Sequence, residues 1–235
     1  MVAKELIPDR ATIQIGVGSM SGMMCKHLIN HHELGMQTEI IPLHTAQLVQ
    51  AGVLTGKHKK LFPGLVVGAA FAPLTPPEEL DFIDGNPAFA LYDFNTTDDI
   101  RLIAQEDGLI SVNNAMAVDL TGQTNGESIG PVMYTGTGGQ TAFVIGACLA
   151  GGKTVIVVPS TSMVKGKRVS RIVPVLDAGS VVTSPRAYVH HVVTEYGVAN
   201  LKGKSIRQRI DEMVAIAHPD FRSELRADAR RLYKV

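Results

Sequence analysis

The chain has 235 residues, 45% of them hydrophobic and 19% charged, and its 22 Lys+Arg balance 22 Asp+Glu. A formal net charge of zero leaves no basic excess of the kind nucleic-acid binding uses, so no nucleic acid is an expected partner. Tryptophan is absent and aromatics make up only 5%, so the core must be built from Val, Ile, Leu, Ala and Met, which suits a parallel sheet covered by helices.

The opening residues, Met1 to Pro8, contain no long apolar run and no small-residue cleavage site. No signal peptide and no bilayer-spanning stretch are expected, and the expected location is the cytoplasm or an organelle matrix. Cys25 and Cys148 stand far apart, each inside an apolar helical pattern and without a second cysteine at ligand spacing. They read as small buried hydrophobes, and no metal site is expected. The pairs His31-His32 and His190-His191 lack HExxH spacing and read as structural or exposed.

Leu6 to Arg10 reads like the end of a helix cut short, hinting at a chain that begins in the middle of a larger architecture. Ile13 to Val17 reads as a short buried strand, with Gly16, Gly18 and Gly22 in the turn after it and a helical stretch from Met23 to Ile29. Gln37 to Ile41 is a second strand closed by Pro42, and Thr45 is a candidate cap for a helix reaching about Ala51. Lys57 to Lys60 is a short charged run, most simply a solvated face. Leu65 to Phe71 is a third apolar run, Glu78 to Phe82 a short acidic helix after a proline-rich turn, and Phe89 to Tyr92 another strand.

Leu109 to Val112 and Met116 to Leu120 are short strands around Asn113-Asn114. A glycine-dense loop, Thr135 to Gly139, precedes a helix over Thr141 to Leu149, and Thr154 to Val158 is a buried strand. Val189 to Thr194 reads as the last strand, Ser205 caps a helix to Ala217, and Asp220 opens a charged final helix. Alternating strands and helices predict an α/β fold, a mostly parallel sheet flanked by helices.

Two enzyme readings arise. Strand, Gly16-Val17-Gly18, helix and a strand bearing Glu39 outline a dinucleotide-binding unit, although Gly22 is one place late and no Tyr-x-x-x-Lys pair follows. An NAD-dependent dehydrogenase is therefore the remote alternative. The second reading rests on segments in order: Gln14 to Gly18, Leu34 to Glu39, Tyr92 to Asn95, Ser111 to Ala115, Val118 to Gln123 and Gly136 to Gln140. Pro159-Ser160-Thr161, Val169 to Pro174, Val193 to Ala199 and Ile216 to Pro219 continue the series. Together they resemble the C-terminal half of the acetyl-CoA hydrolase / acetate and 4-hydroxybutyrate CoA-transferase family.

That resemblance implies a CoA-transferase-like single domain over residues 1–235, with the family's N-terminal half absent. It implies an acyl-CoA:carboxylate CoA-transferase with Glu39 as nucleophile, the Val17 and Gly138 amides as oxyanion donors and Asn95 near the nucleophile. Gly16, Gly18, Gly136, Gly139, Gln140, Lys165 and Lys167 are its expected coenzyme A contacts. No permanently bound cofactor is expected; coenzyme A and acyl-CoA are substrates, with a small carboxylate. A second α/β half or a homo-oligomer is the expected partner. An acyl-CoA hydrolase and a non-catalytic CoA-binding half are the alternatives. Read without the resemblance, Glu39 is a solvated strand-end carboxylate, Gly16 and Gly18 simply turn the chain, Asn95 and Asn113 are turn residues, and Asp119 and Arg171 are structural polar partners. One stretch departs from the family: Glu39-Ile40-Ile41-Pro42-Leu43-His44 stands where Glu-x-x-x-Asp-Gly is usual.

Overall fold

The computed structural model describes residues 1–18 and 23–234. The chain divides into two units: Met1–Asn113 with Gly139–Thr154, and Asn114–Gly138 with Val155–Val235.

The first unit is built on β1 (Thr12–Ile15), β2 (Gly35–Gln37), β3 (Ile40–Ile41), β4 (Val66–Gly68), β5 (Ala70–Phe71), β6 (Phe89–Leu91) and β7 (Ile110–Asn114). Five of these lie side by side in the order β7-β1-β2-β4-β6, every pair parallel; Ile13 sits between Ile110 and Met36. All four residues of β1 are buried, as a strand covered on both faces requires. The mostly parallel α/β sheet expected from composition is present.

Helices of this unit are α1 (Val2–Leu6), α2 (Thr45–Gln50), α3 (Pro77–Ile83), α4 (Phe94–Thr97), α5 (Ile100–Ile103) and α6 (Gln140–Leu149), with a 3-10 turn at Met24–His27. α6 packs on α5 through Ile103, Leu109, Phe143 and Ala147. Gly146 permits the approach: a Cβ there would stand 2.3 Å from the Ile103 side chain.

Several expectations need correction. The strand read over Gln37 to Ile41 is broken at Thr38-Glu39, and the run Leu65 to Phe71 breaks beside it at Ala69. The Glu39 carbonyl accepts from the N–H groups of both Ala69 and Ala70, so the two strands kink together. Thr45 is the first helical residue of α2 rather than its cap. Its hydroxyl donates to the Pro42 carbonyl (2.6 Å), and the Glu79 carboxylate accepts from the N–H groups of His44 and Ala46 (3.1 and 3.0 Å). The charged run Lys57 to Lys60 is not wholly solvated. Lys59 is 5% exposed, with its ammonium donating to the carbonyls of Met36 (2.9 Å) and Leu65 (2.8 Å). Buried Glu106 also serves this corner, accepting from Thr12 Oγ1 and the amides of Lys60 and Leu61.

In the second unit, β8 (Ala117–Asp119), β9 (Thr124–Asn125), β10 (Ser128–Ile129) and β11 (Val132–Met133) come first, and β12 (Lys153–Val157) enters it at Val155. Next come β13 (Thr161–Val164), β14 (Lys167–Ser170), β15 (Ile172–Val173), β16 (His191–Thr194), β17 (Gly197–Asn200), α7 (Ile206–Ile216) and α8 (Pro219–Tyr233). β12 pairs with β16 in parallel, and β17 returns antiparallel to β16, so Val189 to Thr194 does not hold the last strand. Ser205 caps α7 in a reciprocal box with Gln208, as the sequence led us to expect.

Burial pushes the Lys59 ammonium down to about 8, against the opposing pull of Glu106. Between that value and its ordinary one the unfolded chain binds more protons than the folded chain, so stability from this group rises with pH. In urea melts we expect a gain on the order of 2 kcal/mol from pH 8 to pH 10, absent in Lys59→Met.

Candidate functional site

The kink at Thr38-Glu39 places Glu39 at the carboxyl end of the parallel strands. Crevices outside that end are where open α/β sheets bind ligands. Thr38 fixes the bend, its hydroxyl lying 3.2 Å from the carbonyls of Ile15 and Ile40. Glu39 is half-buried, and its Oε2 accepts the N–H of Gly139 at 2.7 Å.

Gly139 is buried at the head of α6 with an ordinary helical φ of −71°. Glycine is required there by contact rather than by backbone shape: a Cβ would stand 2.7 Å from Glu39 Oε2 and 2.5 Å from Asp98 Oδ2. Asp98 lies between α4 and α5, with Oδ1 accepting from the Thr97 hydroxyl at 2.8 Å. Burial lifts its carboxyl to about 6; the Thr97 hydrogen bond works against that rise and the Glu39 charge adds to it.

The turn after β1 is held from behind. Asn113 exchanges hydrogen bonds with Gln14 (3.1 and 3.0 Å), and Ser111 donates to Gln14 (2.7 Å). Gly16 closes onto this cluster, since a Cβ on it would meet Asn113 Oδ1 at 2.3 Å. Asn113 is thus a buried backbone organiser. Val17 is 56% exposed beyond the strand end, and Gly18 has φ 149°, open to glycine. A pocket of about 210 Å³ opens here, lined by Ile15, Val17, Ile40, Pro42, Leu43 and Pro73 among others, with no charged side chain among its described lining.

Glu39, Gly139, Gly16, Val17 and Gly18 therefore share one unit, and so do Asn95, exposed on α4, and Gln140, the first residue of α6. Gly136 and Gly138 lie exposed in the second unit, as do Lys165 and Lys167 on the β13–β14 hairpin, where Lys165 has φ 47°. Asp98 went unnoticed in the sequence. Its only signal is the adjacent Asp98-Asp99 pair, of which Asp99 caps α5 by accepting from the Arg101 amide.

Other polar residues are structural. Asp119 accepts from Thr121 and Gln123, Arg171 donates to the Met116 carbonyl, and His31 bonds the carbonyls of Ala3 and Ile7. Cys25 is buried and its thiol is pushed up to about 12 by that burial, which removes its reactivity. Cys148 is partly exposed. Among the described residues no group of three or more His, Cys, Asp or Glu is placed to hold a metal, and no helix is long and apolar enough to cross a membrane. The dinucleotide reading loses its helix: between β1 and β2 the described residues hold only the 3-10 turn Met24–His27, and Gly22 lies outside the described residues.

Residues 77–229 match the family described as the acetyl-CoA hydrolase/transferase C-terminal domain. The 4-hydroxybutyrate coenzyme A transferase of Clostridium kluyveri is 41% identical, over 97% of this chain and 53% of that protein. A succinyl-CoA:acetate/propanoyl-CoA:succinate CoA transferase of Fasciola hepatica is 40% identical, over 100% of this chain and 49% of its own length. The chain spans about half the length of the curated relatives it matches. Among solved structures, RipA from Yersinia pestis superposes with a TM-score of 0.91 at 36% identity, covering 100% of this chain and 52% of RipA.

Because the backbone at residue 139 suits any residue, Gly139→Ala should fold but displace the carboxylates of Glu39 and Asp98. We expect a loss of about 1–3 kcal/mol in thermal or urea melts, the range for overpacking, and a crystal structure with Glu39 moved off the residue-139 amide.

Proposed function

Since the chain belongs to the acetyl-CoA hydrolase/transferase C-terminal domain family, we propose that it is the glutamate-bearing half of an acyl-CoA:carboxylate CoA-transferase. The observation that carries the reading is the Gly139 amide on the Glu39 carboxylate. It ties the end of the glycine-dense loop to the one acidic side chain at the strand-end kink.

On this reading a Glu39 oxygen attacks the thioester carbonyl of acyl-CoA. The C–S bond breaks, leaving a mixed anhydride and free CoA thiolate. The thiolate then attacks the glutamyl carbonyl, forming a glutamyl-CoA thioester as the first carboxylate departs. A second carboxylate runs the steps in reverse, so the thioester's energy is conserved. The oxyanion formed at each attack needs fixed donors, and the resemblance assigns the Val17 and Gly138 amides to it, with Asn95 beside the nucleophile. Gly16, Gly18, Gly136, Gly139, Gln140, Lys165 and Lys167 are the proposed coenzyme A contacts, the lysines meeting phosphate.

The acyl group takes the uncharged pocket beside Ile40. Leu43, standing where the family pattern has aspartate, and Pro42 before it favour an aliphatic acyl chain over one with a second charge. The 235 residues act as one C-terminal-type half, and a second α/β half completes the enzyme.

Intact mass spectrometry of the assembled enzyme with acyl-CoA should reveal a CoA-sized adduct, cleaved by hydroxylamine and absent in Glu39→Gln. An adduct that persists in Glu39→Gln overturns the assignment. In the same enzyme, Leu43→Asp should lower kcat/KM for butyryl-CoA relative to acetyl-CoA by roughly tenfold.

A further inference from the structure

Two carboxyl groups press against one backbone carbon. Asp98 Oδ2 and Glu39 Oε2 both lie within 2.7 Å of the position a Cβ of residue 139 would take. They reach it from different elements, Glu39 from the β2–β3 kink and Asp98 from the turn between α4 and α5. Asp98 has little freedom to leave: its Oδ1 is held by the hydroxyl of fully buried Thr97, which turns Oδ2 toward Gly139 and Glu39.

Among the described residues no basic group acts on the Asp98 carboxyl. Arg101, the nearest basic residue in the chain, is paired with Asp99 at 2.7 Å. Across the packing surface, the charge acting on Asp98 is that of Glu39, and α6 presents the Gly139 backbone. Burial lifts the Asp98 carboxyl, and the nearby Glu39 charge adds to that rise. Gly139 provides an N–H for one carboxylate, Glu39.

We infer that Asp98 is a positioning residue for Glu39: in its protonated form it lets the Glu39 carboxylate stay on the Gly139 amide, and on losing its proton it drives Glu39 off. The inference deepens the glutamyl-CoA reading and rests on it. No proton is consumed in the transfer steps themselves, so Asp98 acts through the placement of the nucleophile and not as an acid or base. Its lifted carboxyl, near 6, sets the sign. The competent arrangement is present at mildly acid pH and fades as pH rises.

Two readouts test this. The first is the ¹H–¹⁵N signal of the Gly139 amide in the chain itself between pH 5 and 8. It should move with a midpoint near 6 in the wild type and stay fixed in Asp98→Asn, which fills the same space without charge. Asp98→Ser, also uncharged, should match Asp98→Asn. The second is the rate of CoA-adduct formation in the assembled enzyme, which should fall roughly tenfold from pH 6 to pH 8 in the wild type and remain level in Asp98→Asn. A Gly139 signal that does not titrate, or that titrates equally in both uncharged variants, overturns the inference. So does an adduct rate with the same pH profile in wild type and Asp98→Asn, and in that case the CoA-transfer reading survives. Absence of adduct in every protein removes that reading and the inference with it.

Discussion

The N–H of Gly139 on the Glu39 carboxylate is the contact around which the first unit is arranged. It needs a bare Cα at residue 139, because the space a side chain would take already holds two carboxylate oxygens. It needs the sheet to bend at Thr38-Glu39, which happens because β4 and β5 break at the matching place and Ala69 and Ala70 turn their amides to the Glu39 carbonyl. It also needs α6 fixed in height, which Gly146 secures by letting the helix sit directly on Ile103. The Glu39 side chain is thereby held at the strand ends with one carboxylate oxygen bound.

The stretch after Glu39 differs from the Glu-x-x-x-Asp-Gly pattern that the resemblance led us to expect. His44 stands where the family's usual pattern has glycine, and it adopts φ 68°, the left-handed backbone that glycine enters most easily. The strain of a side chain there, about 1–2 kcal/mol, is set against the two amide hydrogen bonds that Glu79 accepts from His44 and Ala46. Leu43 stands where that pattern has aspartate, and with Pro42 it lines the uncharged pocket.

Much of the fold was legible from periodicity and punctuation. The apolar runs at Ile13 to Val17 and Thr154 to Val158 became β1 and β12, and Ser205 capped its helix, because buried parallel strands and caps leave local signatures. The breaks at Thr38-Glu39 and Ala69 were invisible, since an apolar run reads the same whether the strand is straight or kinked. Strand β9 and the short pairs β10–β11 and β13–β14 were likewise hidden, as two- to four-residue strands carry too few alternations to register. Lys59 illustrates the limit for charge: within Lys57 to Lys60 only the fold decides which ammonium turns inward to two carbonyls. At the site, Glu39 and the glycine loop were marked by family pattern, whereas Asp98 depends on a contact across 41 residues of chain to Gly139 that no local motif announces.

The central claim is that Glu39 itself forms the acyl and CoA bonds. Oxygen-18 transfer tests it most directly. The assembled enzyme is cycled with acyl-CoA and a carboxylate labelled at both oxygens, then digested, and the peptide containing Glu39 is weighed. A mixed anhydride at Glu39 passes one labelled oxygen to its side chain when the thiolate attacks the other carbonyl, so the peptide should gain one oxygen-18 atom in the first turnover and up to two on repeated cycling. Turnover with no label in that peptide would contradict a covalent role for Glu39.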